Sequence, residues 1–587
     1  MGEQGINVIT NIFIIILIFI GLILISYSIN ISYLYMIAFV PLVLILILGV
    51  YIRKKSILHG LNKKFKNEWG EKVDRKRNFK NIRLTFDYIE DETNDEFCID
   101  DQTWSDLTMN EIYTVMDRTI TSPGEEMLYK TLRMPLFNEV KLKKRNAIIK
   151  LFQNNEQFRN NLGMHLLKLN RVRKNHVPNL LWNDIEVDMK YKTLCRILAI
   201  LPILIGGALF FTKEYSLLFP LIIVVCVNPY LHMKIKKNIY QYVSCIGYNN
   251  AIITAANSIS KLNQVEFKEY KDLLSDLSKK VEPILKKSAG IGRIEGMDQT
   301  GISDILYMVF LFEENQFFSC INLIKKHQQD LKKLYICIGE IDALLSIASY
   351  REGLENYTTP EFTNENGRFE AKNMIHPLVS DAVSNDITMT NRGIILTGSN
   401  MSGKSTFLRT IGVNAILAQT IYMTTTSFYR ASFFKIMTSI SPEDNIMSGK
   451  SYYFREAEAL LRIIEEGGED YPLLCIIDEI FRGTNPVERV NASIEILGYL
   501  EKHNSLAVVA THDIELTDKL NDSYDMFYFT EDMDKEGLVF DYKLKDGVCR
   551  TRNAVKLLKY LKYPNEIIEN TNRRIEETIS QNSKAEN

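Results

Sequence analysis

The run Gly398-Ser399-Asn400-Met401-Ser402-Gly403-Lys404-Ser405-Thr406 has the spacing GxxxxGK[ST]. Such a loop turns successive backbone N–H groups inward as an anion nest, and the helix that follows aims its positive end at bound phosphates. Lys404 is expected to reach the β- and γ-phosphates of ATP, and Ser405 to give an oxygen to Mg2+. Further on, the apolar run from Leu473 ends in Asp478 and Glu479. Asp478 at that place is expected to hold Mg2+ through water, while Glu479 orients and deprotonates an attacking water. His512 follows a third apolar run, residues 505–509, and can hydrogen-bond a γ-phosphate.

These groups need rigid carriers, and the flanking pattern supplies them. The run Gly393–Leu396 reads as a strand entering the loop, and Phe407–Ala418 as the helix leaving it. From about Phe369 onward short β-rich runs (393–396, 473–477, 506–510) alternate with helical segments, the pattern of an α/β domain with a parallel sheet. Upstream, residues 106–170 and 236–353 carry apolar residues at helical spacing and predict an all-α middle.

The apolar residues are unevenly spread. Residues 8–27 and 33–52 are uncharged runs of about 20 residues, the length that crosses a bilayer core, and they predict a transmembrane hairpin. A second, shorter pair at 197–212 and 215–231 is separated only by Lys213 and Glu214; it predicts either a second transmembrane hairpin or a buried helical pair. Lysines and arginines follow the first pair and flank the second, so the positive-inside rule puts the soluble segments in the cytoplasm and the short turns outside. The basic stretch after residue 53 reads as a juxtamembrane segment drawn to anionic lipid. Lys plus Arg (70) nearly balance Asp plus Glu (72), which excludes a global electrostatic footprint for nucleic acid. The eight cysteines show no CxxC pair, which disfavours a structural zinc site or a disulfide framework.

In their order along the chain, these motifs resemble the MutS branch of the ABC-type ATPases. The phosphate loop 398–409, the Asp-Glu strand end with its Arg482-Gly483-Thr484 turn, and Thr511-His512 all carry the likeness. The segment from Asp444 to Glu456 is similar to the family's signature, which implies that Ser451 reaches the γ-phosphate bound by a second copy and that the protein is a homodimer. Ile375-His376-Pro377 and the tail around Tyr563-Pro564 resemble pieces flanking the family's ATPase, and residues 117–136 resemble the start of its helical core. There are departures. No mismatch-reading domain precedes the core, the core is interrupted by an apolar pair, and residues 382–386 lack the aromatic that family members stack on adenine.

The expected organisation is a transmembrane hairpin (1–52), a basic juxtamembrane linker (53–105), a helical core in two parts (106–192 and 234–360) around a second hairpin (193–233), the ATPase domain (361–550), and a C-terminal helical dimerisation segment with a polar tail (551–587). The expected protein is a multi-pass cell-membrane ATPase with its core and ATPase domains in the cytoplasm. What hydrolysis serves is left open between mismatched or branched DNA and a mechanochemical or scaffolding role on a protein or lipid partner. A transporter ranks below both, for want of an obvious intramembrane charge.

Overall fold

The computed structural model describes residues 39–93, 96–172, 175–185, 189–288, 307–399, 402–440, 452–467, 470–481, 484–534, 537–549 and 561–585, with positions 555 and 558. The first apolar run, Asn400, Met401 and the signature segment through Ser451 lie outside them. The chain forms two compact units: residues 1–72, 119–124 and 152–342 in the first, and 73–118, 125–151 and 343–587 in the second.

The first unit is helical. The helix Phe39–Asn67 carries the end of the second expected span and continues beyond it. The second apolar pair forms a helical hairpin: Lys192–Thr212, a left-handed turn residue at Lys213, and then Leu218–Ile259. The returning helix is 42 residues long and unbroken. The boundary expected at residue 233 therefore falls inside a helix, because helical periodicity continues after the apolar composition ends. Both arms are long and apolar enough to cross a membrane by length and composition. Their large side chains stand out from the fold, with Phe210 78%, Phe211 84% and Phe219 74% exposed. Among the described residues, only 11% and 17% of the two apolar windows are buried within the fold.

The second unit holds the sheet. Its strands are β1 (Glu361–Phe362), β2 (Arg368–Met374), β3 (Asn385–Thr390), β4 (Gly393–Thr397), β5 (Phe428–Ala431), β6 (Lys435–Ser439), β7 (Leu473–Asp478), β8 (Ser505–Ala510), β9 (Tyr524–Tyr528), β10 (Glu531–Asp534), β11 (Gly537–Phe540) and β12 (Lys545–Asp546). Six form one sheet in the order β12-β9-β4-β8-β7-β6, parallel throughout except for β12 at the edge. β4 and β7 are buried at every position, as central parallel strands covered on both faces must be. A smaller sheet, β1-β5-β2-β3, stands apart from it, and β10 and β11 make an antiparallel ribbon.

Residues 73–118 fold into this unit, where the sequence predicts a linker up to residue 105. The helices Phe79–Glu92 and Asp101–Asp106 contribute Ile82, Phe86 and Trp104 to its core. Asp106 is buried and accepts from Thr438 Oγ1 (2.7 Å) and Ile440 N (2.8 Å), while Arg409 Nε donates to its carbonyl (2.8 Å). The basic residues Arg75 and Arg77 pair with the buried Asp117. Composition suggested a solvated lipid-facing stretch, but these charges have partners inside the protein.

Candidate nucleotide site

Three strands adjacent in the large sheet, β4, β8 and β7, run parallel, so their C-terminal ends share one edge. The phosphate loop leaves β4, Thr511-His512 leaves β8, and Asp478 closes β7. Residues separated by more than a hundred positions meet there for that topological reason.

The loop needs its glycines. Gly398 has φ of 142°, and a Cβ at that position would lie 2.5 Å from the Phe529 carbonyl oxygen. Gly403 has φ of 108° and precedes the helix Lys404–Ile421. Lys404 Nζ donates to the loop's own carbonyls at Gly398 (2.6 Å) and Ser399 (2.8 Å). Burial lowers its pKa from the usual lysine range, while Asp478 and Glu479 pull the other way. An ammonium held by two loop carbonyls suits an anionic ligand that would replace them. Ser399 Oγ donates to the buried carboxylate of Glu531, and Ser402 Oγ to the Ser399 carbonyl (2.8 Å).

Ser405 Oγ donates to Asp478 Oδ2 at 2.6 Å, which brings together the hydroxyl and carboxylate expected to serve Mg2+. Both are hard oxygen donors at the mouth of the loop, and that donor set fits Mg2+. Glu479 sits in the left-handed region (φ 63°) with its N–H bonded to the Ala510 carbonyl (2.9 Å). A non-glycine residue held there stores strain, and such residues concentrate at working sites. Its Oε1 lies 3.2 Å from His512 Nε2. The two line a small cleft of ≈ 110 Å³ with Ile480, Arg489 and Asp513. Arg489 grips Asp513 through two bonds (2.8 and 2.5 Å) and so fixes the turn that carries His512.

The structure thus brings Gly398, Ser399, Ser402, Gly403, Lys404, Ser405, Asp478, Glu479 and His512 to one edge. Thr406, next along the helix, is exposed. Two residues at this edge escaped the sequence reading. Glu531 is one. The other is Tyr542, whose ring would lie 3.2 Å from a Cβ on Gly403. Its carbonyl accepts from Asn385 Nδ2 (3.0 Å), within the segment that lacks an aromatic of its own, and Leu544 N bonds Asn385 Oδ1 (2.8 Å). No spacing rule links position 385 to position 542.

Residues 394–579 match the family model described as MutS domain V. That segment of the chain carries a MutS domain V. Its relatives include the DNA mismatch repair protein MutS of Thermotoga petrophila, 30% identical over 281 residues, which covers 46% of this chain and 35% of that protein. The MutS of Staphylococcus haemolyticus is 30% identical over 257 residues, covering 42% and 29%. The mismatch repair protein MSH3 of Vanderwaltozyma polyspora is 29% identical over 281 residues, covering 45% and 27%. The chain spans about a third of the length of the curated MutS relatives it matches. Beside the sheet edge just described, the match makes the C-terminal part a MutS-type ATPase domain.

Proposed function

We propose that this MutS-family chain binds and hydrolyses ATP with Mg2+ at sites shared between two copies, anchored to a membrane by its apolar hairpins. The observation that carries the reading is the meeting of Lys404, Ser405, Asp478, Glu479 and His512 at the ends of three adjacent parallel strands. Lys404 would leave the loop carbonyls for the phosphates and neutralise charge as the terminal phosphoryl departs. Ser405 and Asp478 would hold Mg2+, which supplies further charge neutralisation when bound. Glu479 orients water and takes its proton, and His512 beside it bonds the terminal phosphate. Tyr542 gives the loop an aromatic wall against which a base can rest. Ser451, in the segment similar to the family's signature, would complete the site of a second copy.

Two purposes remain for the hydrolysis, and two observations bear on their order. The exposed apolar hairpin favours a membrane-tethered machine acting on a protein or lipid partner, and the near-balanced charge gives no broad surface for duplex DNA. DNA, mismatched or branched, is the alternative suggested by what the relatives are named for.

The test is ATP turnover and nucleotide binding by the full-length protein in detergent, with and without homoduplex, mismatched and branched DNA across a salt series. Lys404→Ala should lose both binding and turnover. Glu479→Gln should keep binding, lose turnover by at least about 100-fold, and hold two copies together when ATP is present. Turnover surviving both substitutions would refute the site. DNA stimulation that falls steeply with salt would reverse the order of the two purposes.

A further inference from the structure

The root of the apolar hairpin contains a polar cluster that the nucleotide site does not use. Asn228 and His232 lie one turn apart on the returning arm, both buried, and Glu314 is fully buried on the helix Phe312–Lys326. His232 Nδ1 lies 2.6 Å from Glu314 Oε1. Asn228 Nδ2 donates to the carbonyls of Leu198 (2.9 Å) and Val309 (2.6 Å), and Asn315 Nδ2 to those of Cys195 (3.2 Å) and Leu311 (2.9 Å). These bonds lace the outgoing arm, the returning arm and the 309–315 segment into one knot. Every amide donor is spent on a backbone carbonyl. Three acceptor oxygens are left buried with no donor: Asn228 Oδ1, Glu314 Oε2 and Asn315 Oδ1.

Orphaned buried acceptors are costly, each by about 1–3 kcal/mol, so three in one knot call for a positively charged or donating occupant. A proton on Glu314 brings one donor and can serve only one of the amide oxygens. A water brings two. A metal cation can take all three. Hard carboxylate and amide oxygens select a hard ion. The charge count favours a single charge: the cluster supplies one carboxylate, whereas a divalent ion would leave a net charge in an apolar setting. We propose that Glu314, Asn228 and Asn315 bind one alkali-metal ion, sodium or potassium, at the root of the hairpin. The ion ties the two arms to the helix that follows and makes the hairpin's attachment depend on cation supply.

Thermal unfolding of the full-length protein in detergent, free of nucleotide and Mg2+, tests this in NaCl, KCl and N-methyl-D-glucamine chloride at fixed ionic strength. Sodium or potassium should raise Tm by a few degrees in a saturable manner over the organic cation, as expected for a ligand that binds only the folded state. The ion with the lower half-saturating concentration is the occupant. Glu314→Gln should abolish the response and raise the baseline in the organic cation, because its amide brings donors to the orphaned oxygens. Asn315→Asp should lower the half-saturating concentration, and this variant keeps the test open if Glu314→Gln does not fold. Equal Tm in all three salts, a Tm that follows pH but not cation, or an undiminished response in Glu314→Gln would each overturn the proposal.

Discussion

His376 Nδ1 accepts the Leu378 N–H (3.3 Å), so its remaining proton sits on Nε2, which is buried without an acceptor. Burial, with Arg409 nearby, lowers its pKa to about 4. Between that value and the ordinary 6.5 the unfolded chain binds more protons than the folded one, so the contribution of this site is complete above about pH 6.5 and is lost as pH falls toward 4. At roughly 1.4 kcal/mol per unit the loss approaches about 3 kcal/mol. Denaturant unfolding at pH 7 and pH 4.5 should show it, and His376→Gln should flatten that difference; an equally steep acid loss in the variant would assign it elsewhere. Residues of this kind mark the limit of reading from sequence. Lys404, Asp478 and Glu479 are legible because each sits in a short local motif at the end of an apolar run. Tyr542 and Glu531 are placed by long-range packing that leaves no local pattern.

The helix Lys404–Ile421 is held at both ends, and its far end connects the site to the rest of the second unit. Its final carbonyls are captured one by one: Leu136 N bonds Gln419 O (2.8 Å), Arg145 donates to Thr420 O, and Arg351 Nη2 bonds Ile421 O (2.5 Å) and Tyr422 O (3.3 Å). Arginines at a helix C-terminus also meet the negative end of its dipole. Arg351 is fully buried and is itself positioned by Asn146 Oδ1 (2.6 Å). Arg351→Met should therefore destabilise the protein by about 2–4 kcal/mol, since it strands two carbonyls and an amide. Because the same helix carries the phosphate loop at its other end, nucleotide affinity should fall as well. A variant with wild-type midpoint in urea would remove this anchor from the account. The helices and strands themselves follow from periodicity, and the sheet from its apolar runs. The attachment of residues 73–118 to this unit does not, because a charge run looks alike whether its partners are water, lipid or a buried carboxylate such as Asp117.

At the scale of the molecule, the apolar hairpin bears on where the protein works. Leaving Phe210, Phe211, Phe219 and their neighbours in water forfeits about 1.5–3 kcal/mol for each large side chain, so these arms need a cover. By length and composition a bilayer could be that cover, and the proposed orientation has the Lys213-Glu214 tip outside and the basic flanks inside. That orientation returns the chain to the side where ATP is available. It can be tested in sealed cells with an impermeant thiol reagent, after Cys226, the exposed native cysteine on the returning arm, has been changed to serine. Cysteine replacing Lys213 should react without lysis, and cysteine replacing Ser580, in the C-terminal helix Asn565–Ala585, only after it. Labelling at 580 in intact cells would reverse the orientation. Absence of labelling at 213 in both conditions would mean that another protein surface covers the hairpin, and absence only in intact cells that the tip never crosses the membrane.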